Sequence, residues 1–378
     1  MKGKVLIFID WFTPGYKAGG PTTSNVNITE HLCDEIEFYV ITSDTDYRET
    51  SPYADVIPNC WMMRNGIHVY YFSKDRLRFR NIAKVAREAN CPVWYINGVY
   101  SRYFSFYPLV AAKLVRPKRT IVSARGMLSP HALAVKSRKK NLFLWLEKFI
   151  GLYRNVLFHS TNELESSYIK SAIGRKVQTV AIENLPRKVS LPFSVATKKE
   201  GVVRLVSFAR ISPEKNTLYA IEALRACNTN VYYDIYGQIN DMSYWEQCQK
   251  AISVLPANVK VRYCGSIAPQ ELPLLYKDYD MMYLPTTGEN FGHAILESLI
   301  NSRPVLISDK TPWRNLAQQN IGYDLPLTNK NEFAQVVDSM AGLHIASFDA
   351  MCQSAYRFAQ SVCHNPAVCE NYILLFTL

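Results

Sequence analysis

Short apolar runs rich in β-branched and aromatic residues recur through the first half of the chain, at Lys4–Asp10, Glu37–Thr42, His68–Phe72, Val93–Ile96, Thr120–Ser123 and Asn155–His159. Between them the apolar positions fall three and four residues apart, which predicts helices near 24–33, 78–90, 104–115, 138–152 and 162–171. Strands that read as continuous apolar runs belong to a sheet covered on both faces, so this alternation predicts a parallel sheet wrapped by helices. The segment 186–200, with Pro186 and Pro192 and no period of either kind, reads as a linker. A second series follows: strands at Val202–Phe208, Val231–Tyr236, Val259–Tyr263, Met281–Leu284 and Pro304–Ile307, with helices near 213–227, 243–254, 269–277, 291–301 and 331–341. The expected architecture is α/β: two doubly wound, Rossmann-like domains, 1–185 and 201–360, facing a central cleft at the carboxyl ends of their strands.

Composition narrows the class. Hydrophobic residues make up 48% and charged residues 20% of 378, the balance of a folded soluble protein and neither a disordered nor a fibrous one. No apolar stretch approaches the 18 residues of a membrane span, and VLIFID near the start lacks the layout of a secretory signal. Nine scattered cysteines without a CxxC pair suggest reduced thiols in the cytoplasm and no zinc site. Charge is lopsided: residues 1–200 hold 30 basic and 16 acidic side chains, whereas 201–360 hold 13 and 15. Nine Lys/Arg and no acid lie between Lys113 and Lys140, followed by the amphipathic segment 141–152, a pattern expected of an anionic membrane surface. Nucleic acid is the competing partner, but no nucleic-acid-binding motif accompanies the charge.

Two constellations carry chemistry. After the strand Val202–Phe208, Arg210 and Lys215 flank Ser212-Pro213, a pair suited to capping and opening a helix, and two cations at a helix N-terminus suit a diphosphate. After Met281–Leu284, Gly288 and Gly292 bracket Glu289, Asn290 and Phe291, and His293 opens a helix that carries Glu297 about two turns in. In the first domain Gly19-Gly20 follows the first strand, and Asn97 and Arg125 each follow a strand, where acceptor contact and a plain turn are equally good readings. Asp44-Thr45-Asp46 and Asp278-Tyr279-Asp280 spell DxD, but neither adjoins these elements, so no metal site is expected.

RISPEKN (210–216) together with ENFGHAILESL (289–299) resembles the Arg/Lys pair and Glu-x7-Glu element of the family 4 retaining glycosyltransferases, and GGPTTSNVNITEHL, SARGMLSPHAL, STNELE and RPVLISDKTPWRNL extend the likeness along nearly the whole chain. The resemblance implies a GT-B fold and transfer of a hexosyl or N-acetylhexosaminyl unit with retention and without a metal or other cofactor. It implies Arg210 and Lys215 on the donor diphosphate, Glu289 near the sugar hydroxyls and Glu297 on the ribose. Gly19, Gly20 and the amides of Asn290, Phe291, Gly292 and His293 would approach the donor, and Gly265, Ser266 and Ile267 its base. His131 is a candidate for sugar contact, and a helix at about 361–378 is expected to cross back onto the first domain. A UDP-sugar is favoured over a GDP-sugar as donor, and the acceptor is expected to be a glycan, lipid-linked, at the inner face of the cytoplasmic membrane in bacterial surface-polysaccharide synthesis. Alternatives are a catalytically silent module of the same fold that binds a glycan or membrane, and a sugar-nucleotide epimerase or phosphorylase.

Overall fold

The computed structural model of the protein describes residues 2–134, 143–145, 147, 149–188, 191–193 and 198–377. It divides into two compact units, one of residues 1–188 with 365–378 and the other of residues 189–364.

The first unit is built on an eight-stranded sheet: β1 (Gly3–Phe8), β2 (Ile36–Ser43), β3 (Trp61–Arg64), β4 (Ile67–Phe72), β5 (Val93–Asn97), β6 (Arg119–Ser123), β7 (Val156–Ser160) and β8 (Gln178–Ala181). Their order is β3-β4-β2-β1-β5-β6-β7-β8, parallel except for β3. Side chains alternate across a strand, and β1 shows why both faces are apolar. Leu6 and Phe8 pack with Trp94, Ile96 and Phe104 on one face, and Val5 and Ile7 with Ile28, Leu32 and Phe376 on the other. The last helix of the chain, Pro366–Thr377, closes that second face: Phe376 meets Phe38 edge-on at 6.0 Å and Tyr95 at 5.4 Å, and Arg119 donates to the Leu375 carbonyl at 3.1 Å.

The second unit carries a six-stranded parallel sheet: β9 (Val202–Phe208), β10 (Asn230–Tyr236), β11 (Val259–Gly265), β12 (Met281–Leu284), β13 (Val305–Ser308) and β14 (Gly322–Leu325), in the order β11-β10-β9-β12-β13-β14. Met281 and Tyr283 face one core, Met282 and Leu284 the other. The 19-residue helix Ile345–Cys363 serves both, with Phe348 and Cys352 in the first and Ala355 and Ala359 in the second.

Both sheets have a point at which the chain leaves neighbouring strands in opposite directions. From β1 it runs to β2 on one side while from β5 it runs to β6 on the other; β9 and β12 stand in the same relation, leading to β10 and β13. Helices on opposite faces leave a crevice at the carboxyl ends of such a strand pair, the place where doubly wound sheets bind ligands.

Several elements depart from the pattern. The short edge strands β3, β8 and β14 are half-exposed or polar and give no apolar run. The segment expected as helix 104–115 starts as a turn of π-helix at Arg102–Phe106, and the helix Ile345–Cys363, whose buried stripe Phe348, Met351, Cys352, Ala355 and Ala359 is made largely of small residues, was not among the predicted elements. The predicted helix 138–152 falls largely outside the described residues. Phe376→Ala, which opens a cavity beneath β1 and β2, is expected to cost about 3–5 kcal/mol in urea unfolding; an unchanged midpoint would contradict the placement of the last helix.

Candidate functional site

At the β9/β12 crevice the sequence-predicted residues of the second unit come together. Lys215 Nζ meets Glu289 Oε1 at 2.5 Å, an ion pair between side chains only 20% and 11% exposed. Backbone hydrogen bonds hold the two loops in register, because the Glu214 carbonyl accepts from the Thr287 amide at 2.9 Å and from the Thr286 and Thr287 hydroxyls at 2.9 and 3.0 Å. Asn216 Nδ2 donates to the Pro285 carbonyl at 2.9 Å, and the Glu289 amide to the Lys310 carbonyl at 3.1 Å. Arg210, half-buried on the same loop, forms no ion pair among the described residues. The arrangement offers two cations and a helix N-terminus to an anion.

Local geometry corrects the sequence reading in three places. Lys215 ends a single 3₁₀ turn, Pro213–Lys215, and the α-helix begins only at Thr217, after Asn216 in the left-handed region at φ 59°. Ser212 makes no side-chain cap; its buried hydroxyl has no hydrogen-bond partner among the described residues. The later helix starts at His293, so Glu297 lies one turn in, with Oε1 3.4 Å from Asn301 Nδ2. Gly292 is required where it stands: φ is 82°, and a Cβ would come within 2.8 Å of Ile295 Cδ1 and 3.2 Å of Trp313 Nε1. Trp313 in turn donates to the Phe291 carbonyl and packs on the Phe291 ring at 5.6 Å. Gly265, at φ 76°, ends the edge strand β11, with Ser266 and Ile267 in the loop beyond.

One residue escaped the sequence reading. Gly237, at φ 148° after β10, lies against the Arg210 loop so closely that a Cβ would sit 1.9 Å from the Ala209 carbonyl oxygen. Its amide donates to the Gly265 carbonyl at 2.8 Å, which joins the Arg210 loop to the loop after β11. The signal available was a glycine directly after an apolar strand.

In the first unit, Gly19 precedes the helix Gly20–Leu32 with φ 78°, whereas Gly20 is an ordinary first helical residue. Asp46, second carboxylate of the first DxD, organises this loop: Oδ2 accepts from the amides of Tyr16 and Lys17 at 3.0 and 3.3 Å, and Oδ1 from Tyr47 at 2.7 Å. Asp280 of the other DxD is fully buried on Arg204, taking its amide at 2.7 Å and its guanidinium at 3.2 Å. Among the described residues no group of three or more His, Cys, Asp or Glu is placed to hold a metal ion.

Asn97 and Arg125 are brought together, and they are spent on each other. Arg125 donates through Nε to Asn97 Oδ1 at 3.0 Å, through Nη2 to Tyr95 Oη at 2.9 Å, and through Nη1 to Asn184 Oδ1. Tyr95 Oη lies 2.8 Å from Nδ1 of buried His159, whose Nε2 is 3.0 Å from the Ile182 carbonyl. Nε2 therefore donates and Nδ1 accepts, a neutral imidazole; burial first, then the Arg125 charge, push its pKa down to about 3. The side chain of His131 lies outside the described residues. Nor is the basic stretch 113–140 one surface: Arg125 and Arg119 turn inward, Lys136 to Lys140 lie outside the described residues, and Lys113, Arg116 and Lys118 are exposed.

Residues 193–342 match the family model of glycosyl transferases group 1. Over 179 residues the chain is 26% identical to the GtfA subunit of a UDP-N-acetylglucosamine–peptide N-acetylglucosaminyltransferase of Streptococcus agalactiae, a match spanning 44% of this chain and only 34% of that relative. It is 19% identical over 372 residues to an uncharacterized 41.2 kDa protein in the cps region of Klebsiella pneumoniae, covering 95% and 96% of the two chains. Among solved structures, Anabaena HepE in complex with UDP and glucose aligns with TM-score 0.73 at 15% identity over 99% of each chain. Sucrose-phosphate synthase from Thermosynechococcus elongatus aligns with TM-score 0.68 at 14% identity, over 100% of this chain and 98% of its own. The fold is that of the GT-B glycosyltransferases, and the family match supports a glycosyltransferase.

Two outcomes are expected. Because His159 stays neutral when folded but titrates near 6.5 when unfolded, the unfolded chain binds the extra proton below that pH. Stability from this group is present above 6.5 and falls by about 2 kcal/mol between pH 7 and pH 5. Because Asp10 and Glu147, raised by burial to about 6 and about 7, gain stability over the same interval, the effect is read as a difference: on going from pH 7 to pH 5 the wild type should lose about 2 kcal/mol relative to His159→Gln in urea unfolding. Gly237→Ala, which drives a methyl group into the Ala209 carbonyl, should lower stability by about 1–3 kcal/mol; an unaffected variant would contradict the contact.

Proposed function

We propose that the protein is a retaining, metal-independent glycosyltransferase of the family 4 type that moves a sugar from a UDP-sugar to a glycan acceptor. The observation that carries this reading is the Lys215–Glu289 pair across the β9/β12 crevice, with Arg210 on the Lys215 loop and a helix N-terminus at His293. In this reading Arg210, Lys215 and the amides near Gly292 and His293 stabilise charge growing on the leaving diphosphate, each well-placed contact contributing roughly 2.7–4 kcal/mol. Glu289, already fixing Lys215, receives sugar hydroxyls, Glu297 accepts from the ribose, and the backbone of Gly265, Ser266 and Ile267 meets the base. An acceptor hydroxyl attacks the anomeric carbon as the bond to the diphosphate breaks, on the face that gives retention, and its proton passes to the departing phosphate oxygen. UDP is favoured as carrier because HepE is described in complex with UDP and with UDP-glucose, and the matched S. agalactiae relative is named for a UDP-sugar.

The acceptor proposed is a lipid-linked glycan of a bacterial surface polysaccharide, met at the inner face of the cytoplasmic membrane. No helix among the described residues is long and apolar enough to cross a membrane. Trp145, Phe149 and Ile150 are nevertheless 59%, 76% and 52% exposed, and the first two rings stack at 5.5 Å. Exposed Leu114 and the pairing of Lys113 Nζ with the Arg154 carbonyl at 2.9 Å add apolar and basic groups, a combination suited to an anionic interface.

Thermal shift with UDP, GDP, ADP and CMP, with and without EDTA, tests the donor. A UDP-specific shift unchanged by EDTA is expected, about 2.7 kcal/mol of stabilisation at 100 times Kd. It should vanish in Lys215→Ala and in Glu297→Ala, whereas no shift with any nucleotide would favour a silent binding module. Trp145→Ser/Phe149→Ser should reduce co-sedimentation with phosphatidylglycerol vesicles at least fivefold and leave UDP binding intact; undiminished co-sedimentation would remove this face from the membrane role.

A further inference from the structure

Between Trp145 and Phe149 in the chain stands Glu147, a carboxyl with no exposure at all. Residues 143–145, 147 and 149 are helical, and the two exposed rings, four residues apart, stack at 5.5 Å on the outer side. Leu144 and Glu147, three residues apart, share the buried side. Leu144 belongs to the same core as Leu152, Tyr153 and Phe158, and Phe143 packs on Tyr100 at 6.2 Å and Phe106 at 5.9 Å. The Glu147 carbonyl accepts from the Leu152 amide at 3.0 Å, which ties the helical residues to the turn that leads into β7. One short segment therefore offers aromatic rings to solvent and pushes an acid into the core.

The acid is half satisfied. The Tyr153 hydroxyl donates to Oε2, whereas Oε1 is sealed from solvent and has no hydrogen-bond partner among the described residues. An ionised carboxylate needs donors or water at both oxygens, so a sealed oxygen with neither favours the neutral acid. The titratable groups that face it are Tyr153, in the turn before β7, and Tyr100, in the loop after β5, whose phenol is pushed up to about 12 by burial and then by Glu147; no cation faces it among the described residues. Burial accordingly raises the Glu147 pKa to about 7, opposed by the Tyr153 hydrogen bond. The neutral fraction of such a group falls about tenfold between pH 6 and pH 8.

We propose that Glu147 is a proton-operated latch for the aromatic face: the neutral carboxyl keeps Leu144 and Glu147 in the core and so presents the stacked Trp145 and Phe149 to an anionic membrane. Loss of the proton draws water to the carboxylate, lifts the buried side out of the core and unstacks the rings. The inference rests on the membrane reading above and names the regulation of that face. An anionic leaflet reinforces the latch, because a surface potential of about −30 mV concentrates protons and lowers the local pH by about half a unit. Contact with the membrane thus favours the form that binds it.

Two measurements on the full chain test the latch, one without lipid. Hydrogen exchange of peptides spanning Trp145 to Tyr153, corrected for the intrinsic rate, should show protection falling at least fivefold from pH 6 to pH 8 in the wild type and changing less than twofold in Glu147→Gln. Tyr153→Phe, which removes the hydrogen bond that favours the charged form, should move the midpoint of that change to higher pH, a shift that a purely structural tyrosine would not produce. Co-sedimentation with phosphatidylglycerol vesicles should be at least fivefold greater at pH 6 than at pH 8 in the wild type and within twofold in Glu147→Gln; the histidines that titrate in this range are common to both. Unchanged far-ultraviolet circular dichroism reports that the variants are folded. Protection independent of pH in the wild type, the same pH dependence in Glu147→Gln, or vesicle binding that does not follow the exchange overturns the inference. Exchange as expected with no vesicle binding at any pH overturns the membrane reading instead.

Discussion

Parallel strands that send the chain in opposite directions cannot have their carboxyl ends covered by their own connections. Among the described residues this happens at two places, between β9 and β12 and between β1 and β5. Apolar side chains fill both faces of each sheet, so the open strand ends are where charged and hydroxyl groups can be held without being buried among them. Lys215 and Glu289 meet at one of these points, Asp10 and Ser101 at the other.

The loops at these points are held mainly by backbone groups. The Glu214 carbonyl collects three donors from Thr286 and Thr287, and Asp46 collects three amides from the loop before and after it. Buried carboxylates that satisfy several amides rigidify a loop, since each donor left without a partner costs about 1–3 kcal/mol. The two DxD sequences are accounted for in this way at Asp46 and Asp280, whose carboxylates serve the architecture.

What the sequence disclosed follows from which interactions are local. A strand such as Met281–Leu284 declares itself because burial on both faces leaves no polar position. Arg210, Lys215, Glu289 and Glu297 were legible as residue types at fixed spacing beside such strands, and the structure brings Lys215 to Glu289 across 74 residues. Gly237 was not legible, because its need for a bare Cα arises from Ala209 on a neighbouring loop. Asp10 and Ser101 lie 91 residues apart, and neither stands in a motif. The run of positive charge at 113–140 does not form one face for the converse reason: of the neighbours Lys118 and Arg119, the first is exposed and the second donates to the Leu375 carbonyl.

That contact has a consequence for the order in which the chain becomes a protein. A domain emerging from the ribosome ordinarily folds as a unit before the next is made. Here one wall of the first unit, the helix carrying Tyr372 and Phe376 against Phe38 and Tyr95, is encoded after the entire second unit. Until residue 376 has left the exit tunnel, the face of β1 and β2 that it covers stays open to solvent and to other chains. The first unit is thus begun before the second and finished after it, and the face left open during that interval is one a chaperone could cover.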